Sequence, residues 1–190
     1  MFKKKESYLR FNAKKGCFIF NGEQQDATAI QFEVKSVSIR HDEGDEANNI
    51  KPHDVADFKC EANDGAGFVF SMGLQTVPLM YAVQQMTQEN TPFVEFAFVS
   101  DKGANEKCFT CLIAHRDESG NYVFAKRDLL VLKGAGKMEI YRRSQLKKEE
   151  TAVKGKKVNK YVIGDAKPID LVVSLQNWCE LIDIPFSDRR

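Results

Sequence analysis

The stretch Ala29-Ile-Gln-Phe-Glu-Val-Lys-Ser-Val-Ser-Ile-Arg40 reads as one long β-strand, rich in Phe, Val and Ile, and the fold class follows from what stands on either side of it. Upstream, Tyr8 to Asn12 and Cys17 to Phe20 flank Lys14-Lys15-Gly16 as a hairpin, closed by the Asn21-Gly22 turn. Downstream come an acidic loop and two further strands, Phe58 to Ala62 and Gly67 to Ser71, around the turn Asn63-Asp64-Gly65. The period changes between Thr76 and Gln88, where Val77, Met80, Tyr81 and Gln84 share one face behind a Thr76 N-cap and Pro78, and predicts a helix. Strands resume at Phe93 to Ser100, Lys107 to Ala114, Asn121 to Ala125 and Leu129 to Leu132. The expected fold class is therefore mainly β.

A long strand, two more strands, a short helix and two more strands is the element order of an OB barrel, a five-stranded Greek-key barrel with its helix between strands 3 and 4. A β-sandwich or an α+β sheet is the competing architecture. Three regions are expected: an OB-like β-barrel domain over 1–136, a basic β-arm over 137–163, and a C-terminal helix over 164–190 packed on the barrel. The arm comprises Met138 to Arg143 and Val158 to Ile163, joined by a loop of Lys, Glu, Gly and Ser. The terminal helix opens at Lys167-Pro-Ile-Asp170, carries Leu171, Leu175, Trp178 and Ile182, and stops at Pro185.

Composition bounds the function classes. With 190 residues, 43% hydrophobic and 29% charged, the chain suits a globular fold, and no stretch reaches the ~18 uninterrupted apolar residues of a membrane span. Met1-Phe-Lys-Lys-Lys-Glu6 has the charge of a signal peptide but runs into Ser7, Arg10 and Asn12, so secretion is not expected. Five irregularly spaced cysteines argue for reduced thiols and a cytoplasmic location. The net charge of +1 conceals two poles. Between Asp42 and Asp64 eight acids face two lysines, whereas between Lys126 and Lys160 twelve bases face four acids, which suits a polyanionic partner.

Catalytic motifs fare poorly. Cys108-Phe-Thr-Cys111 with His115 resembles a zinc knuckle only in spacing, because residues three apart in a strand point to opposite faces. The acids and histidines from His41 to Asp54 are hard-metal ligand types, but Gly44, Asn48, Asn49 and Pro52 mark a flexible loop rather than a rigid site. Gly134-Ala-Gly136-Lys137 lacks the first glycine and the Ser/Thr of a P-loop. No nucleophile elbow is present, and three histidines leave few bases for a triad. Neither a metal nor another cofactor is expected, nor catalysis.

What remains is aromatic residues beside charge, since unpaired bases stack on π-faces while a basic groove follows the phosphates. Phe68 with Phe70, and Phe96 with Phe98, are expected in the core. The expected nucleic-acid-binding set is Tyr8, Arg10, Lys14 and Lys15 on the first hairpin, Tyr122, Phe124, Lys126 and Arg127, then Lys133, Lys137, Tyr141, Arg142 and Arg143, and the arm bases Lys147, Lys148, Lys154, Lys156, Lys157 and Lys160.

The run Tyr8-Leu-Arg-Phe-Asn-Ala-Lys-Lys-Gly-Cys-Phe-Ile-Phe-Asn-Gly-Glu23 resembles the opening hairpin of small phage-encoded proteins associated with replication and recombination genes, over under a tenth of the chain. With the OB-like order behind it, the whole resembles a phage-type single-stranded DNA-binding protein. That resemblance implies non-catalytic coating of exposed DNA in replication or recombination, without a cofactor. Asp183-Ile-Pro-Phe186 resembles the terminal tip by which bacterial single-stranded-DNA-binding proteins recruit partners, but departs from it by continuing Ser187-Asp-Arg-Arg190. The expected partner is single-stranded DNA. RNA, self-association into a homo-oligomer and contacts with replication or recombination proteins stay open, and no membrane is expected. Two other readings compete: a protein-binding module, such as a phage inhibitor of a host enzyme, acting through the acidic loop, and a metal-dependent nuclease using the same loop.

Overall fold

The computed structural model describes residues 6–100, 109–124 and 128–190, with 98–100 and 109–112 by their backbone alone. At its centre lies β4 (Ala29–Asp42), fourteen residues long. Phe32, Val34, Val37 and Ile39 are its buried residues, so the two-residue period slips by one between Val34 and Val37. The cause is a bulge. Against β5 (His53–Glu61), Val34 faces Cys60 and Val37 faces Phe58, while Ser36 takes Lys59, leaving Lys35 as the extra residue. Cys60 and Phe58 lie two apart on one buried face, so the bulge turns both halves of β4 toward the same interior.

The other edge of β4 is shared by two strands. β7 (Phe93–Ser100) runs antiparallel along Ala29 to Glu33, and β14 (Phe186–Asp188) runs parallel along Val37 to Ile39. Beyond β5, β6 (Gly67–Gly73) is antiparallel and β1 (Tyr8–Asn12) joins it parallel, bringing β2 (Cys17–Phe20) and β3 (Glu23–Gln24) with it. Beyond β7 come β8 (Phe109–Arg116) and β9 (Tyr122–Phe124). The result is a mainly β protein with one ten-stranded mixed sheet, in the order β3-β2-β1-β6-β5-β4-β7-β8-β9 with β14 on β4. No ladder among the described residues joins β3 to β9. The five-stranded Greek-key closure expected from the element order is thus not formed by these ladders, because β1 adds beyond β6 and extends the sheet instead of closing it.

Inside stands α1 (Val77–Met86), at the expected position but buried on more than one side. Leu79, Met80, Ala82, Val83, Gln84, Gln85 and Met86 are all buried, the pattern of a helix enclosed by the core rather than laid on a surface. The Gln85 side-chain oxygen accepts from the Ile113 amide of β8 at 3.2 Å. Around Phe32 the rings of Phe68, Phe70 and Phe96 each lie at 5.7 Å between centroids, so three of the expected core aromatics meet, while the Phe98 side chain lies outside the described residues. α2 (Leu171–Leu181) buries Leu175 and Trp178, whose indole donates to the Glu89 carbonyl at 2.7 Å. After α2 the chain turns at Asp183, φ 57°, and enters β14, where a C-terminal helix packed on the barrel is the expectation from sequence. Phe186 is half-buried and paired with Val37, and the Val37 amide donates to Pro185.

The chain divides into two compact units, 1–125 with 171–190, and 126–170. In the second unit β10 (Leu129–Lys133) pairs, among the described residues, only with β11 (Met138–Arg142), so the strand expected inside the barrel belongs here and the division falls ahead of residue 136. Lys147 to Val153, read from sequence as loop, is a strand, β12, paired along its whole length with β13 (Lys156–Val162). Its charges gave no apolar alternation. What makes it a strand is the two-residue turn, in which Lys154 and Gly155 both have positive φ, 49° and 76°, as a twisted hairpin requires. No helix among the described residues is long and apolar enough to cross a membrane.

The bulge makes a sharp prediction. Deleting Lys35 leaves Phe32, Val34, Val37 and Ile39 in one unbroken two-residue period in register with β5, so urea denaturation followed by circular dichroism should keep its cooperative transition, whereas deleting Lys35 and Ser36 together throws Val37 and Ile39 to the wrong face and should abolish it. Lys35→Ala keeps the extra residue and should cost no more than about 0.5 kcal/mol, whereas Ile39→Ala should cost ~2 to 5 kcal/mol.

Candidate nucleic-acid interface

The second unit gathers the basic side chains. Its described residues, 128–170, hold eleven lysines and arginines against six acids. Lys133, Lys137, Arg142, Arg143, Lys147, Lys148, Lys154, Lys156, Lys157 and Lys160 are all exposed. Their ion pairs are few and solvated: Lys157 with Glu150 at 2.8 Å and Lys147 with Asp165 at 3.9 Å. Such exposed pairs contribute at most about 1 kcal/mol, so they leave the charge available to a polyanion. Lys126 and Arg127 lie outside the described residues.

The accessible ring of this unit is not the one read from sequence. Tyr141 is only 2% exposed, and its hydroxyl donates to Glu139 at 2.7 Å. Burial, with that carboxylate beside it, pushes its hydroxyl up to about 12, and neither face of the ring is open to a base. Tyr141 is a core residue. Tyr161 takes its place: half-buried on β13 opposite Lys148, it has the Arg143 guanidinium and the Lys148 ammonium each 5.6 Å from its ring centroid. Alternation in β12 and β13 could have signalled Tyr161, but the unrecognised β12 hid the register.

In the first unit the expected residues fall at two places. Tyr8 and Arg10 alternate with buried Leu9 and Phe11 on β1, and line an open cleft of about 810 Å³ with Ser7, Ile19 and Asn21. Tyr8 is 42% exposed and its hydroxyl, donating to Glu6, titrates above the ordinary tyrosine value. Lys14 and Lys15 are exposed on the β1–β2 turn, their amides held by the Asn12 side chain. Tyr122 and Phe124 stand on β9, their centroids 6.3 Å apart. Arg116 covers one face of Tyr122 at 4.3 Å and donates to its hydroxyl and to Glu95. Five strands separate β1 from β9 in the sheet order, so the two groups form no single ladder surface.

The acidic stretch is structured rather than a flexible loop. β4 and β5 run to Asp42 and from His53, and Glu46 to Asn48 form a 3-10 turn capped by Asp45. Gly44 has φ 77°, and a Cβ there would collide with the Ile50 carbonyl oxygen. Arg40 donates to Asp57 at 2.7 Å and to Asp42 at 2.8 Å, and Asp57 also accepts from Ser71. Asp54 is shared by His41 at 2.9 Å and Arg190 at 3.1 Å. Burial alone would raise the Asp54 carboxyl, but these two hydrogen bonds outweigh it and hold it below its ordinary value. Among the described residues no three His, Cys, Asp or Glu side chains converge as metal ligands. Cys108 and the Cys111 side chain lie outside them, and His115 faces Glu89 at 3.3 Å. Burial raises the thiol of Cys60, and that of Cys179 to about 12, so neither is a thiolate near neutrality.

Compared with protein-family models, curated proteins and solved structures, the chain finds no match.

His41 offers a check on the acidic cluster. Its hydrogen bond to Asp54 raises its pKa above the ordinary value, so the protonated ring favours the folded state. That contribution is present in full below the unfolded value of about 6.5 and fades as pH rises through the raised folded value. A proton NMR titration should find His41 above about 6.5, and Asp54→Asn should bring it down.

Proposed function

We propose that this chain binds single-stranded DNA without catalysing a reaction on it, holding the phosphates with the β12–β13 hairpin of its second unit. The observation that carries this is the segregation of charge. Residues 126–170 have thirteen bases against six acids, and the remainder of the chain has fifteen against twenty-one, so a chain of net charge +1 concentrates its positive charge on one small unit. Lys154, Lys156 and Lys160 make no ion pair among the described residues, and Tyr161 sets a ring beside two cations, the pairing of stacking surface and phosphate contact that single strands use. An open sheet serves this reading as well as a closed OB barrel, since the arm rather than a barrel face carries the charge. The carboxylates of Asp42, Asp54 and Asp57 are tied to Arg40, His41 and Arg190, which favours DNA binding over a nuclease built on the same residues.

Fluorescence anisotropy with labelled oligo-dT, its RNA counterpart and a duplex tests the reading. Micromolar or tighter binding to oligo-dT, weaker binding to duplex, and steep loss with salt are expected. Lys154, Lys156 and Lys157 changed together to Glu should barely move the melting temperature, because all three are exposed and only Lys157 loses an ion pair. Affinity should fall, and the slope of log K against log salt should flatten by about 2, at ~0.7 per phosphate contact. Tyr161→Ala should weaken binding by ~1 to 3 kcal/mol with the slope unchanged. Tyr141→Ala should instead destabilise the fold by roughly 3 to 5 kcal/mol. No binding to oligo-dT at ~50 mM salt overturns the reading and favours a protein partner for the acidic stretch.

A further inference from the structure

The outer face of the sheet carries a second site. Phe93, at the start of β7, is 65% exposed, the largest exposure of any described aromatic residue. It borders a cleft of about 280 Å³ that also takes in Gln31, Asn63 and Glu95. Those three residues also line a second cleft, of about 460 Å³, which ends at Arg116 and Tyr122. Gln31 lies opposite Glu95 across β4 and β7, and Arg116 opposite Tyr122 across β8 and β9, so strand pairing itself sets these groups in place. The two clefts thus share a polar floor, with a bare ring at one end and a guanidinium stacked on a ring at the other.

Charge decides what fits. The one guanidinium, Arg116, is bound to Glu95 at 2.9 Å, and Asp64 and Glu89 also line the clefts, so the groove is no place for phosphate. The two amides, Asn63 donating to Gln31 at 3.3 Å, still offer further donors and acceptors to the edge of a planar heterocycle. An aromatic face, a planar guanidinium and amide side chains are the groups that hold a splayed-out base.

The geometry points to a base-stacking site on Phe93 and the Arg116–Tyr122 pair, engaging the bases of single-stranded DNA; it rests on the reading that the chain binds such a strand. The site acts on bases alone, so a strand without bases does not use it. The test is anisotropy with oligo-dT and with an abasic strand of equal length, on the full chain and on Phe93→Leu, which keeps apolar bulk but lacks a π-face. Phe93 is exposed enough that the melting temperature should hold. Phe93→Leu should weaken oligo-dT binding roughly 5- to 150-fold with an unchanged salt slope, and leave abasic binding as it was. Tyr122→Leu should act in the same direction. Unaltered oligo-dT affinity in Phe93→Leu, or an equal loss on the abasic strand, overturns the site while the DNA-binding reading stands. If the unmutated chain binds neither strand, both fall.

Discussion

Lys35 is a surplus residue in a fourteen-residue strand, and the large unit is organised around that surplus. A strand this long, regularly pleated, would bury one half of its apolar side chains and expose the other. The bulge changes the parity once, so that Phe32, Val34, Val37 and Ile39 all face the interior that Phe58 and Cys60 share. With its inner face fixed, β4 keeps β5 along nearly its whole length and divides its other edge between β7 and β14. The Phe32 ring then meets Phe68, Phe70 and Phe96, and α1 packs in the same interior. The chain's last strand therefore depends on a conformational detail some 150 residues upstream.

The second unit is built on a different balance. Leu129, Ile140, Tyr141 and Leu146 are its buried apolar residues, and the β12–β13 hairpin is almost wholly exposed. Isolated two-stranded hairpins are marginally stable in water. Here the register is fixed by a turn with two positive-φ residues, and lysines along both strands oppose pairing with another sheet edge. The same lysines repel one another, a cost that a polyanion relieves. Under the proposed function, stability and ligand binding are linked in the hairpin, because the repulsion between its lysines is what a phosphate backbone would neutralise.

The acidic stretch shows how composition misleads when pairing is unknown. Eight acids between Asp42 and Asp64 suggested a negative loop, or a ligand set for a metal. Two long strands instead bring Asp42, Asp54 and Asp57 against Arg40 and His41, and the end of the chain adds Arg190 to Asp54. Arg190 is 136 residues from Asp54, and no local pattern could reveal their contact.

Local chemistry was enough to place most strands and both helices, because β-branched and aromatic runs, Asn-Gly turns and a Thr-Val-Pro helix start act over a few residues. It was also enough to find the basic segment, since charge is a property of composition. Three things required the folded chain: the open ten-stranded order in place of a barrel, the exchange of Tyr141 for Tyr161 as the accessible ring, and the meeting of Phe93, Gln31, Asn63, Arg116 and Tyr122 on one outer face. Strand order follows from which edges find partners, and exposure from what covers a face. Both depend on contacts between residues far apart in the chain, and a one-residue bulge or an unnoticed strand reverses the side on which a residue appears.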